Sequence, residues 1–268
     1  MKEKPILNIY KPVIGVIHVD ALPGTPNYKN NVKKIIDHAK KEALIYKENN
    51  IDVIAIENMH DVPYLKRSVG PEIISMMSII GYEIKNITKL PCGIQILAGA
   101  NREALAAAHS AGLDFIRAEG FVFAHVADEG IIDSDAGELL RYRKQINAED
   151  ILILTDVKKK HSSHSITSDV SIAETATAAE FFLSDGIIVS GLSTGKEPDI
   201  NDVKNVKEAV YIPVIIGSGI TIDNVEKYYP TTDAFIIGSH FKKEGSWKNE
   251  VDDKRVKTFM NKYNQLRK

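Results

Sequence analysis

Residues 151–157 read ILILTDV and residues 185–191 read DGIIVSG, apolar at nearly every position. A strand with one wet face would alternate polar and apolar side chains. Unbroken apolar runs of this length instead belong to strands covered on both sides, as in parallel sheets. Similar β-branched runs occupy residues 13–18, 53–57, 93–97, 115–118, 214–217 and 234–238, which brings the count to eight. Each is followed by a polar turn and then by a longer segment with helical spacing.

The segment 32–48 illustrates that spacing: Ile35, Ile36, Ala39, Ala43, Leu44 and Tyr46 recur among lysines and glutamates, which predicts an amphipathic outer helix. Further helices are expected near 71–88, 101–111, 135–147, 169–183, 199–210, 222–228 and 249–266, with Asp169, Ser171 and Thr221 as N-cap candidates. Strict alternation of strand and helix implies a parallel sheet. Closure at eight fits the 268-residue length, because (β/α)₈ barrels run to roughly 250 residues. A doubly wound open sheet would alternate too, but no GxGxxG follows the first strand. The expectation is a single α/β domain over residues 1–268, a (β/α)₈ TIM barrel.

The net charge of −2, from 34 basic and 36 acidic residues, gives no bulk attraction for nucleic acid or an anionic membrane surface. No stretch approaches the ~18 apolar residues of a membrane span, and residues 1–20 lack the apolar core of a secretory signal. A lone cysteine, Cys92, excludes an intrachain disulfide and reads as a packing residue. The expected compartment is the cytoplasm, with neither nucleic acid nor membrane insertion. Ile73, Ile74, Met76, Met77, Ile79 and Ile80 exceed the needs of one helix face, which suggests a homo-oligomer surface or a tightly covered helix.

In a (β/α)₈ barrel the functional groups sit at the carboxyl ends of the strands. The polar residues there are His18 and Asp20, Glu57, Asn58 and Asp61, Gln95 and Asn101, Arg117 and Glu119, Asp156 and Lys158, Ser190 and Thr194, Ser218, and Ser239 with His240. The most specific signal is VIIGSGITIDNV at 214–225, repeated in kind by AFIIGSHF at 234–241. Glycines let the backbone approach an anion, and N–H groups at a helix start carry partial positive charge. Gly217, Ser218, Gly219, Gly238 and Ser239 are thus read as a phosphate site after the last two strands. VSGLSTG at 189–195 adds Ser190, Gly191, Thr194 and Gly195 on a further side. The plainer reading is that these glycines only permit tight turns.

Glu57, Asp156 and Glu119 are carboxylates at the ends of buried strands, suited to acid and base work, with an ion pair to Arg117 as the alternative. Lys158 follows Asp156 by two residues and would face the same way if the strand continued, open to Schiff-base chemistry or to phosphate neutralisation. The adjoining Lys159 and Lys160, with His161 and His164, read as a solvated loop. His125 and Asp128 lie in a longer loop, 121–133, expected to act as a lid. A divalent metal among His18, Glu57 and Asp156 is conceivable, although no HExxH or CxxC spacing supports it. No cofactor is otherwise called for.

Several segments together resemble the BtpA family, which includes SgcQ-like proteins. They are VIGVIHVDALPGTP (13–26), IAIENMHDVPY (54–64), the long stretch 93–144, LTDVKKKHSSH (154–164), IIVSGLSTGKEPD (187–199), VIIGSGIT (214–221) and IIGSHFKKEG (236–245). The resemblance implies a TIM barrel of the phosphate-binding kind, similar to phosphoribosylanthranilate isomerase. The early-strand acid and base pattern of those isomerases is not recognisable in IGVIHVDALPG (14–24), so that reaction is not carried across. The family takes its name from a role in accumulating photosystem I in cyanobacteria, and SgcQ-like members look like parts of sugar-uptake gene sets.

The leading expectation is an enzyme acting on a phosphorylated sugar, ribose or nucleoside. Glu57 and Asp156 would transfer protons, while Asn58, Gln95, Asn101 and Arg117 orient hydroxyls or stabilise negative charge. Isomerisation, aldol-type cleavage and glycosidic hydrolysis all stay open. The alternatives are a non-catalytic assembly factor and a metal-dependent hydrolase.

Overall fold

The computed structural model describes residues 5–191, 193 and 195–268. In chain order the described strands are β1 (Val13–His18), β2 (Val53–Glu57), β3 (Cys92–Gln95), β4 (Phe115–Ala118), β5 (His125–Ala127), β6 (Gly130–Ile132), β7 (Leu152–Val157), β8 (Ser162–Ser163), β9 (Gly186–Val189), β10 (Val214–Ile216) and β11 (Ala234–Ile237). The helices are α1 (Val32–Glu48), α2 (Pro71–Thr88), α3 (Asn101–Ala111), α4 (Ala136–Gln145), α5 (Ile172–Phe181), α6 (Ile200–Ala209), α7 (Val225–Tyr228) and α8 (Asp253–Leu266). Eight strands close into a parallel barrel in the order β1-β2-β3-β4-β7-β9-β10-β11, and β11 pairs back onto β1. The eight apolar runs are those eight strands, which establishes the (β/α)₈ barrel.

Side-chain alternation divides the barrel into two apolar sets. Ile14, Val16, Val53, Ala55, Phe115, Leu154, Ile188, Ile215, Ala234 and Ile236 fill the interior, with Ile6 packed among them. The alternate residues, such as Val13, Ile17, Ile54 and Ile56, pack outward against the helices. Ile6 and Ile9 form an isolated antiparallel bridge just before β1, so the segment preceding that strand supplies apolar side chains to the interior cluster.

Side-chain caps set the starts of α1, α5, α6 and α8. Ser171 caps α5 through a capping box, its hydroxyl accepting from the Glu174 N–H while the Glu174 carboxylate accepts from the Ser171 N–H. At α7 the N-cap position falls to Asn224 rather than Thr221, and that helix is a single turn. Most apolar residues of α2 are absorbed within the fold: Ile73, Met76, Met77 and Ile80 are buried, while Ile79 and Tyr82 remain exposed.

The expected lid, 121–133, contains the hairpin β5–β6, and β5 also pairs antiparallel with β8 from the loop after β7. Two loops read as separate are thereby one small sheet. His164, expected in solvent, is half-buried with its ring 5.5 Å from that of His125.

Candidate active site

Two residues beyond the interior apolar layer, each barrel strand presents its next inward position. Those positions are His18, Glu57, Gln95, Arg117, Asp156, Ser190, Gly217 and Gly238. Six carry polar side chains and two carry none, so the polar ring has a gap on the side of the last two strands.

Arg117 organises the ring. Its Nε and Nη2 donate to the two oxygens of Asp156 at 2.7 and 2.8 Å, and its Nη1 donates to Glu57 Oε1 at 3.1 Å. The planar fork of a guanidinium suits this three-way grip. Burial alone would push the Asp156 carboxyl up, but the charge and hydrogen bonds of Arg117 hold it below the usual carboxylate range. Ser190 Oγ adds a bond to Asp156 Oδ1 at 3.1 Å. Asp156 is therefore saturated, whereas Glu57 keeps Oε2 outside the grip.

That oxygen lies 4.0 Å from His18 Nε2. The other ring nitrogen, Nδ1, is 2.9 Å from the Trp247 carbonyl, which can only accept, so Nδ1 carries the hydrogen. Burial first, then the charge of Lys242, holds the His18 pKa well below its ordinary value. The ring is neutral at pH 7 with its Nε2 lone pair toward Glu57.

Glu119 forms a second centre. Gln95 Nε2 donates to its Oε1 at 3.0 Å and Lys159 Nζ to its Oε2 at 2.9 Å. Asn58 and Asn101 are scaffolding. Asn58 bonds Asp61 and the Leu97 N–H, both at 2.8 Å. Asn101 donates to the Glu119 carbonyl at 2.8 Å and accepts from the Glu119 N–H at 3.1 Å.

Lys158 is not brought to this cluster. The strand ends at Val157, Lys158 takes φ +47°, and its Nζ donates to the Thr167 carbonyl at 2.7 Å. Lys159 and Lys160, read from sequence as solvated, turn inward instead. Trp247 was also missed. No local pattern marks any of these three, because their placement depends on β5–β8 pairing and on the loop after β11.

Two cavities adjoin at the mouth. The smaller, about 150 Å³, is lined by Gly217, Ser218, Gly219, Gly238, Ser239 and His240 together with His18, Gly195 and Arg255. The larger, about 340 Å³, is lined by Gln95, Glu119, Asp128, Glu129, Lys159, Tyr64 and Trp247. Glu57, Met59, Arg117 and Lys160 line both. Asp156, Ser190 and Gly191 line neither, and Thr194 lies outside the described residues.

The glycines serve two purposes. A Cβ on Gly219, which has φ +74°, would meet Lys196 and Glu197 backbone at 2.2 Å, so this glycine admits the neighbouring loop rather than an anion. A Cβ on Gly217 would lie 3.2 Å from Arg117 Nη2 and 2.4 Å from Ile188, so the bare backbone there makes room inside the ring. The Ser218 hydroxyl accepts from the Gly191 N–H at 3.1 Å and donates to the Lys196 carbonyl at 3.2 Å, which ties the loop down.

The donor set does not fit a metal on His18, Glu57 and Asp156, since Arg117 occupies both Asp156 oxygens and one of Glu57. Among the described residues no three His, Cys, Asp or Glu side chains cluster as ligands.

The sequence pattern of the BtpA family matches residues 9–265. The chain belongs to the BtpA family. Within that relationship it is 48% identical to an uncharacterised mitochondrial protein of Caenorhabditis elegans, over 98% of this chain and 97% of the relative. It is 35% identical to the photosystem I biogenesis protein BtpA of Synechocystis, over 94% and 87% of the two chains. Among solved structures, an engineered monomer of phosphoribosylanthranilate isomerase from Thermotoga maritima is similar with a TM-score of 0.58 at 14% identity, covering 96% of this chain and all of that one. Orotidine 5′-phosphate decarboxylase from Pyrococcus horikoshii gives 0.56 at 13% identity, over 94% and 99%. These two place this BtpA-family chain among TIM barrels by fold. Among the described residues no helix is long and apolar enough to cross a membrane.

Proposed function

We propose that this BtpA-family barrel is an enzyme for a phosphorylated small molecule, with phosphate in the smaller cavity and the reacting portion in the larger. The observation that carries the reading is the shared wall: Glu57, Arg117 and Lys160 line both spaces, so a molecule anchored in one presents its next atoms to these groups. Arg255 supplies positive charge, and Lys160 a further N–H donor, beside Gly217, Gly238 and Ser239. The names of the similar barrels contain phosphoribosyl and 5′-phosphate groups, in keeping with this reading.

Glu57 is the proton-transfer group, because its Oε2 is the carboxylate oxygen of the ring that Arg117 leaves open. His18 Nε2 accepts a substrate hydroxyl hydrogen, and Arg117 stabilises negative charge that develops between the two cavities. Asp156 orients Arg117 rather than moving protons. Lys158 takes no part.

An assembly role, which the Synechocystis relative's name states for that protein, is the second reading. It is favoured by the exposed cluster Phe181, Phe182, Leu183 and Tyr211, whose residues are 46–88% exposed on and just after α5 and before β10.

A thermal-shift series with inorganic phosphate, sugar phosphates and nucleotides separates the two. A ligand at a hundred times its Kd should raise Tm by about 5–10 °C, and Glu57→Gln should keep that rise while losing turnover. If no phosphorylated compound moves Tm, the enzymatic reading fails.

A further inference from the structure

We propose that Lys160 is a nucleophilic amine that condenses with a carbonyl group of the substrate. The proposal rests on the phosphate reading above and narrows it to phosphorylated aldehydes and ketones.

Three consecutive lysines follow β7, and the fold gives each a different fate. Lys158 Nζ is spent on the Thr167 carbonyl at 2.7 Å, and Lys159 Nζ on Glu119 at 2.9 Å. Lys160 has, among the described residues, no carboxylate within 4.0 Å of its Nζ and no hydrogen bond from it. The placement has a structural cause. Lys158 bends the chain out of β7, and Ser162 and Ser163 are then pinned to Ala127 and Val126, so the intervening residues arch across the mouth. The half-buried Lys160 side chain comes down on the wall between the two cavities.

A lysine attacks carbonyl carbon only as the neutral amine. Burial lowers the Lys160 pKa first, and the charge of Arg117 lowers it further, against opposition from Glu57, Asp156 and Glu119. Those carboxylates are themselves gripped by Arg117 and Lys159, and none closes on the Lys160 amine. An amine that holds a fixed charge partner has no reason to deprotonate. This one has none within reach, and it faces space where a substrate atom can stand.

The condensation balances without any oxidant or reductant. The nitrogen lone pair forms a C–N bond while the carbonyl π pair moves onto oxygen, giving a carbinolamine once the nitrogen loses a proton and the oxygen gains one. The C–O bond then breaks with a second proton delivered to oxygen, which leaves as water, and nitrogen shares its lone pair to form the iminium. Glu57 Oε2 and His18 Nε2, 4.0 Å apart and lining the smaller cavity together with Lys160, are the carriers for these protons. The iminium withdraws electrons from the adjacent carbon, so the bond broken next is a C–H or a C–C bond beside the former carbonyl. Isomerisation and aldol-type cleavage go through such an intermediate, whereas glycosidic hydrolysis has no free carbonyl to offer.

Pyridoxal 5′-phosphate, which joins an aldehyde to a phosphate, is the probe. The full-length protein is incubated with it, reduced with borohydride and mapped by peptide mass. The expected result is label concentrated on Lys160, displaced by excess inorganic phosphate, weaker with unphosphorylated pyridoxal and lost in Lys160→Arg. Label spread over surface lysines, or settled on Lys158 or Lys159, overturns the proposal. An unlabelled Lys160 in a protein whose Tm inorganic phosphate still raises overturns the amine and leaves the phosphate reading standing. Label on Lys160 that phosphate neither displaces nor matches with a Tm rise removes the phosphate reading instead. Because the wild-type map gives the primary answer, misfolding of the variant cannot obscure it.

Discussion

Arg117 is the single side chain that holds the polar ring of the barrel mouth together. It is 5% exposed and holds two carboxylates that are also buried, Glu57 at 7% and Asp156 at 7%. Removing one member of a buried ionic group leaves the others uncompensated, which costs about 3–5 kcal/mol. Arg117→Met should therefore lower the unfolding free energy by about that amount in a guanidinium titration. Arg117→Lys should cost less but still lose ligand-induced Tm shifts, because an ammonium cannot reach Glu57 while bonding both Asp156 oxygens. A wild-type midpoint for Arg117→Met would show that the ring is not held by this residue. Counting strand ends in the sequence already put Glu57, Arg117 and Asp156 at the barrel mouth. What counting could not give was the division of labour: that Asp156 is saturated and Glu57 half free depends on where one guanidinium lands across three strands.

At the scale of elements, the small sheet β5–β6–β8 holds Lys159 and Lys160 in place. It was illegible for a physical reason: strands of three, three and two residues are too short to express a period, and a run of lysines carries no local sign that pairing elsewhere will turn it inward. The sheet should be sensitive to acid. His125 is 5% exposed, and its buried Nε2 has no hydrogen-bond partner among the described residues. Burial, with the charges of Lys159, His164 and Arg67, lowers its pKa from 6.5 to about 4. The folded state thus favours the neutral ring, so this contribution is complete above pH 6.5 and is lost as pH falls toward 4. Burial lowers the His164 pKa as well, so both rings act in the same direction. Asp135, at the N-cap of α4, is raised from 3.8 to about 6 by burial and acts in the opposite sense, favouring the folded state in acid. Protection factors in β5, β6 and β8, corrected for the slower intrinsic exchange of amides at lower pH, should therefore fall across that window before those of the barrel strands, and His125→Leu should flatten the response while leaving Asp135 untouched. An equal fall in the barrel would contradict a local origin.

For the whole molecule the question is whether base and mouth form one cooperative unit, as the single-domain expectation requires. Barrel closure brings the residues at the start of β1 together with the segment that follows α8, at the edge opposite the mouth. Asp52, just before β2, accepts from the Val13 N–H at 2.8 Å and from Arg267 Nη1 at 3.0 Å, and its Oδ2 also receives Arg267 Nη2. Arg267 and Tyr263 of the C-terminal region both donate to the Lys11 carbonyl at 2.8 Å. One carboxylate thus fastens β1 to the segment that follows α8. Asp52→Ala strips the acceptor from a backbone donor and from a guanidinium, and hydrogen bonds to charged groups contribute about 1.5–3 kcal/mol, so a loss near the top of that range is expected. The chain's one tryptophan, Trp247, stands at the other end of the barrel with its carbonyl bonded to the His18 ring. Its fluorescence therefore reports the mouth, while far-UV circular dichroism reports all the strands and helices. In a cooperative barrel both probes should shift to the same lower denaturant midpoint in Asp52→Ala, since damage at the base destabilises the mouth equally. If the fluorescence midpoint stays at the wild-type value while the dichroism midpoint falls, the barrel unfolds in parts. The layer that carries Glu57, Arg117 and Lys160 would then owe its stability to the upper strands and the small sheet alone.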